Sequence, residues 1–501
     1  MIRLDGSTLT SAQVVSIIQG NNHVELDESI RFRVDRARAA VEEIVESGQP
    51  AYGINTGFGD LVSVAISKDD LSKLQENLVR SHACGMGDSM DPGQVLGMMT
   101  IRANSLLKGH SGIRWNTIST LVKMIQARIS PVVPRIGSLG ASGDLAPLSH
   151  MSLGLMGEGM VDVDNEGEWV RMEAIDALNQ ADIEPISLAA KEGLSLINGT
   201  SQMCVWLCLA EQKMKSLLSA SEVALALSIE AAHASASPFD ARIHEARPHN
   251  GQLETASRIR ELLSNSPNMD SHSDCEKVQD AYSFRCSPQV LGSVRDVLND
   301  LSRTLSTEIN SVTDNPLIFV SDEGVDVVSG GNFHGEILGI RADNAHLAIH
   351  ELASISERRI AQMLDPSTTG LPAFLADDPG LTSGLMILQY AAAAAISEIR
   401  ATLGPATATN IVVSGQQEDH VSMGATACWL LVQSISNAAS VIASEMITAS
   451  IALDLRTSPV GPELQSYLDC IRSVVPVEHA DVRRDIGVRE LSPLICDGTF
   501  D

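Results

Sequence analysis

Four stretches of this chain run almost without helix breakers: Gln202 to Ser235, Leu338 to Leu364, Met386 to Leu403 and Gly424 to Leu455. In the second half of the first, "VALALSIEAAHASAS", apolar residues fall on nearly every helical face. A helix that is apolar all round must lie inside a bundle or at a subunit interface, so these stretches predict long helices packed on one another. Only 3% of residues are aromatic, and alanine and leucine dominate the four stretches, as close helix packing favours. Strand signals are few: Met160–Val163 with Trp169–Met172 across "DNEGE", and Leu317 to Val328. The expected fold is mainly α. A loop-rich N-terminal head (1–200) precedes a long antiparallel helix bundle (201–455) and a C-terminal helical segment (456–501).

Charge removes several classes of partner. The formal net charge is −28, and no cluster of Lys and Arg interrupts it. Neither nucleic acid nor an anionic membrane suits such a surface. The uncharged run Gly424–Ser444 could span a bilayer by length, but Gln433, Ser434, Ser436, Asn437 and Ser444 favour a buried helix. The opening "MIRLD" has no charged-then-apolar pattern, so no signal peptide is expected. Eight scattered cysteines form neither a zinc cluster nor a disulfide framework, which predicts a reduced, cytoplasmic protein. His346 and His350 have the i, i+4 spacing of metal ligands but lack a matching partner set, so no metal is expected.

The chemistry concentrates in "RIGSLGASGDLAPLSH" (135–150), where glycines and prolines surround Ala141-Ser142-Gly143. Taken alone, the loop reads as a turn in which Ser142 or Asp144 caps a helix starting at Leu145. It is not a hydrolase elbow, because G-x-S-x-G needs its second glycine one place later than Gly143. No G-K-[ST] phosphate loop follows the glycines, and the G-S-S-x-M-P loop of the fumarate-releasing lyases is absent. Ala-Ser-Gly does suit an internal cyclisation. In a sharp bend the Gly143 nitrogen can attack the Ala141 carbonyl carbon, unobstructed by a Cβ and favoured by proximity. Loss of water from the ring, and of the Ser142 hydroxyl with its α-proton, leaves a 4-methylideneimidazol-5-one, an electrophile made from backbone.

Further polar loops accompany it: "YGINTGFG" (52–59), "RSHACGMG" (80–87), "INGTSQ" (197–202), "QDAYSFRC" (279–286), "SGGNFHGE" (329–336) and "QEDHVSMG" (417–424). With "GSLGASGDLAPLSH" (137–150), and in this order, they make the chain resemble the histidine ammonia-lyases of the aromatic amino acid lyase group nearly end to end. The resemblance implies a methylideneimidazolone formed autocatalytically from Ala141, Ser142 and Gly143, with no external cofactor. It implies release of ammonia and trans-urocanate from L-histidine, the first step of histidine degradation. By the same resemblance Tyr52 is the base, and Arg285 clamps the substrate carboxylate. Tyr282, Asn198, Gln279 and Phe333 surround the prosthetic group and substrate. His82 and Glu418 read the imidazole, and Met386 supplies an apolar wall. Relatives of this kind are homotetramers with sites shared between subunits. Gly415-Gln416 stands where bacterial histidine lyases usually have Ala-Asn, and Leu291 where they often have His. A tyrosine or other aromatic amino acid ammonia-lyase, or an aminomutase, is the alternative within the group. An unprocessed structural helix bundle is the alternative outside it.

Overall fold

The computed structural model describes residues 1–48, 50, 51, 53–56, 66–272, 278–476, 478 and 480–501. Its long helices include Ser201–Ala232, Ser287–Glu308, Glu336–Met363, Met386–Ala401 and Gly424–Asp454. Four of them coincide with the breaker-free stretches. The fifth, Ser287–Glu308, is amphipathic and carries Arg295, Asp296, Asp300 and Arg303, so a search for all-round apolarity passes it by. The first ends where His233 takes a left-handed φ of 49°.

The chain forms two compact units that do not follow sequence order. The first contains Met1–Leu209, Ser302–Ala342 and Pro405–Trp429. The second contains Ala210–Leu301, Asp343–Gly404 and Leu430–Asp501.

In the first unit, short helices alternate with small sheets. Met160–Asn165 and Glu168–Glu173 pair antiparallel across "DNEGE" as expected, with Ile129–Pro131 added on the other side of the first strand. Glu166 and Gly167 turn that hairpin with φ of 55° and 94°, the left-handed geometry a tight two-residue turn needs. Leu317–Val320 pairs with Val325–Val328. Two further pairs are too short or too exposed to show a pattern: Ile2–Leu4 with Val24–Leu26, and Met86–Ser89 with Pro134–Ile136. The helix Pro92–Leu106 starts on Asp91, whose side chain accepts from the Gly93 and Gln94 amides, with Pro92 at the first helical position. It is buried from Val95 to Leu106, and Arg102 lies within it.

The second unit is the helical one. Its core includes Leu225, Leu227, Ile349, Leu352, Ile442 and Met446, all fully buried. One charge pair sits among them. Glu445 accepts from Arg359 through both carboxylate oxygens, and from Ser228 Oγ at 2.7 Å. Both side chains of the pair are fully buried. The uncharged run becomes the helix Gly424–Asp454, and more than half of its most apolar stretch is buried within the fold.

Candidate active site

The tripeptide lies in the first unit, between the strand Pro134–Ile136 and the helix Leu145–Leu155. Gly140 and Gly143 have φ of 65° and 74°, so both positions favour glycine. Space constrains them further. A Cβ on Gly143 would lie 2.3 Å from the Gly199 carbonyl oxygen, and one on Gly140 would lie 2.1 Å from Ser422 Oγ. Gly143 and Gly199 form an isolated parallel bridge, and the Asp144 amide donates to the Gly199 carbonyl at 2.7 Å.

Two further distant loops complete the cradle. The Gly335 amide donates to the Gly140 carbonyl at 3.0 Å, and Met423 donates to that of Leu139 at 2.8 Å. Ser422 Oγ donates to the Gly140 carbonyl at 2.9 Å. Inside the loop, Ser138 Oγ accepts from the Gly140 amide at 3.1 Å and donates to Asp144 Oδ1 at 2.8 Å. The motifs around residues 140, 199, 335 and 422 therefore meet at one point.

Asp144 corrects the simple turn reading. It occupies the cap position of the helix Leu145–Leu155 but makes no side-chain bond to it. Its Oδ2 instead accepts from the amides of Gln202 and Met203, at the start of the helix Ser201–Ala232. Burial raises its pKa to about 6 against these stabilising bonds.

Ser142 Oγ donates to Glu418 Oε1 at 3.0 Å. Glu418 is held by a tight loop: Ser414, Gly415 and Gln416 have φ of 52°, 59° and 76°, and the Val413 amide donates to the Glu418 carbonyl at 3.1 Å. His82 ends the helix Leu71–His82. Its Nδ1 lies 2.8 Å from the Leu78 carbonyl, which can only accept, so Nδ1 carries a proton and Nε2 is left for a ligand. Burial lowers the His82 pKa, opposed by the Leu78 carbonyl and by the charge of Glu418. Asn198 is buried; its Nδ2 donates to the Asn315 carbonyl at 3.2 Å, while its Oδ1 is buried without a partner. Phe333 is half-buried, two residues before Gly335. Tyr52 lies outside the described residues.

Gln279, Tyr282, Arg285 and Met386 belong to the second unit. Gln279 and Arg285 line one cavity of about 800 Å³, together with Asp280, Cys286 and Gln289. Arg285 Cζ sits 4.6 Å from the centre of the Tyr282 ring, and its Nε is buried without a partner. A guanidinium with a free donor in a cavity suits a carboxylate. Met386 begins its helix outside this cavity's lining. His346 and His350 lie on the helix Glu336–Met363, and among the described residues no three His, Cys, Asp or Glu side chains converge as a metal site.

Sequence reading misses Gly199, Ser422 and Gln289. The glycine and serine sit inside quoted motifs, where only three-dimensional proximity reveals their part. Gln289 lies two places into a helix that follows a motif.

Comparison with known proteins extends the local geometry to the whole chain. A histidine ammonia-lyase of Alkaliphilus oremlandii is 42% identical over 498 residues, 99% of this chain and 97% of that protein. Among solved structures, a histidine ammonia-lyase from Trypanosoma cruzi has a TM-score of 0.91 at 37% identity, covering 100% of this chain and 94% of that one. Tyrosine aminomutase from Streptomyces globisporus has a TM-score of 0.92 at 34% identity, covering 100% and 97%. The family model described as aromatic amino acid lyase matches residues 9–473. That match takes in all the motifs that meet at the Ala-Ser-Gly loop, and the chain belongs to the aromatic amino acid lyase family.

Proposed function

We propose that this chain is a histidine ammonia-lyase, converting L-histidine to trans-urocanate and ammonia. The observation that carries the substrate is the placement of Glu418, 3.0 Å from Ser142 Oγ, with its charge acting on His82. An imidazole has two nitrogens that lose water on entering a pocket, and leaving one unpaired costs about 1–3 kcal/mol. Glu418 accepts from one ring N–H, and His82 Nε2, unprotonated while Nδ1 donates to Leu78, accepts from a second, so the pair suits an imidazolium with both nitrogens protonated.

The reactive group is proposed to be a 4-methylideneimidazol-5-one made from Ala141-Ser142-Gly143. The chain's own residues fit it. Gly143 and Gly199 leave no room for a Cβ between their backbones, and Asn198 Oδ1, a buried acceptor in want of a donor, is free to take an N–H of the substrate's amino group. When formed, the group supplies an electrophilic carbon to the substrate's amino group and so makes ammonia a good leaving group. Arg285 binds the carboxylate, Tyr52 takes the β-proton, and Glu418 with His82 orients the ring. A tyrosine titrates near pH 10 when free, so Tyr52 must be activated by its surroundings.

The enzyme is further proposed to act as a cytoplasmic homotetramer with sites shared between subunits. Exposed apolar side chains on helices, Ile337, Ile340 and Leu347 on one and Ile387 and Tyr390 on another, support an assembly that covers them. All seven cysteines among the described residues are free, in keeping with a reducing compartment. One experiment tests substrate and chemistry together. Purified protein should release urocanate from L-histidine far faster than coumarate from L-tyrosine, and its intact mass should fall short of the translated sequence by two waters. A preference for tyrosine would remove the histidine assignment, and an unmodified mass in active enzyme would remove the prosthetic group.

A further inference from the structure

Arg102 has no part in the site just described, yet it is fully buried behind it. From the helix Pro92–Leu106 it reaches two segments at once. Its Nε donates to the Ser195 carbonyl at 3.0 Å, and Nη2 donates to the same oxygen. Nη1 donates to the Thr313 carbonyl at 3.0 Å and to Thr313 Oγ1 at 3.3 Å. Ser195 is held from its other side too, since Lys191 Nζ donates to Ser195 Oγ at 3.1 Å and pairs with Asp314 at 2.8 Å. Moving a guanidinium out of water costs several kcal/mol, and packing alone could be met by an apolar side chain.

The guanidinium so held packs directly against the Gly199 peptide. A Cβ on Gly199 would lie 2.2 Å from Arg102 Nη1 and 2.6 Å from the Thr313 carbonyl oxygen. On the opposite side, the backbone of Gly199 lies against Gly143 and accepts from the Asp144 amide. Guanidinium, Gly199 and Gly143 are thus stacked with no slack between successive layers.

We propose that Arg102 is a positioning residue for the formation of the prosthetic group: it fixes the Gly199 peptide, and Gly199 fixes Gly143 and Asp144 for ring closure. This rests on the cyclised tripeptide proposed above. Closure joins the Gly143 nitrogen to the Ala141 carbonyl carbon. The first water takes the Ala141 carbonyl oxygen with the amide protons of Gly143 and Ser142. The second takes the Ser142 hydroxyl with its Cα proton. Both steps are intramolecular, so their rate depends on how closely the reacting atoms are held.

Freshly synthesised protein, sampled over time by intact-mass measurement, tests the proposal. Arg102→Lys can reach one carbonyl but not both, and should lose its two waters at least about tenfold more slowly than the parent, a barrier change of about 1.4 kcal/mol. Thr313→Val removes one of Arg102's acceptors and should slow the loss severalfold, whereas Thr313→Ser keeps the hydroxyl and should match the parent. Protein that has matured should show the parent's KM and per-site kcat in every variant, since Arg102 does not touch substrate. Should Arg102→Lys fail to fold, the two Thr313 variants decide. Maturation at the parent rate in Arg102→Lys and Thr313→Val overturns the proposal, as does full maturation with a lowered kcat. A parent that loses no water removes the prosthetic group itself, a distinct outcome.

Discussion

Glu418→Gln separates the reading of the imidazole from everything else the site does. The amide keeps the shape of the carboxylate and can still accept from Ser142 Oγ, so the fold and the two-water mass loss should be unchanged. What disappears is a charge. Hydrogen bonds to charged groups contribute about 1.5–3 kcal/mol, against about 1 for neutral ones. With the loss of a group able to move a proton, turnover of L-histidine should fall roughly 100-fold, or about 2.7 kcal/mol. A second effect has a definite sign. Burial lowers the His82 pKa and Glu418 opposes it, so in Glu418→Gln that pKa should drop further, moving any His82-dependent limb of the pH–rate profile to lower pH. The assay is urocanate absorbance across pH on protein of verified mass, with L-tyrosine as the control substrate. Because Glu418 and His82 serve one ligand group, adding His82→Asn should cost less than the sum of the single changes. A Glu418→Gln enzyme within threefold of the parent on histidine refutes the reasoning. So does an equal loss on histidine and tyrosine, since the charge would then not be reading the imidazole.

The remaining predictions concern assembly, stability and pH. Chains carrying Tyr52→Phe, co-expressed with chains carrying Ser142→Ala, should regain part of the activity in verified mixed oligomers; no rescue would argue against shared sites. Glu445→Ala strands the buried Arg359 and should destabilise the protein by about 3–5 kcal/mol in urea melts, while Glu445→Leu with Arg359→Met should be less destabilised than either single change. Asp144 has a folded pKa raised from 3.8 to about 6, so the stability its neutral form contributes is complete below pH 3.8 and lost as pH rises through 6. That difference is about 3 kcal/mol, so Asp144→Asn should gain on the parent by up to this amount between pH 4 and 7. Parallel melting curves across that range would show that the carboxylate does not stay protonated.

The sequence made the long helices legible because all-round apolarity has one structural solution, and the hairpin at Glu166-Gly167 because strand alternation and turn chemistry agree. Ser287–Glu308 was harder to see because its charged face resembles any surface segment. The tripeptide was legible from its chemistry, and Glu418 and His82 only through the resemblance to the family. The cradle was not. That Gly143 needs Gly199, and that Gly199 needs Arg102, depends on close approaches between segments that no local pattern records. Asp144 misled for the same reason: its place in sequence suits one helix, while its carboxylate serves another.

Ser142 and Glu418 lie 276 positions apart, and the loops at 335 and 422–423 also close on residues 139–140. On a ribosome adding about 5–20 residues per second, the tripeptide therefore waits roughly 15–55 s for its last neighbours to be made. An electrophile formed during that interval would meet every amine and thiol near the nascent chain. On the proposed cyclisation, dependence on the late loops would make the reactive group a record of synthesis past residue 423, and a chain truncated before that point should keep its unmodified mass.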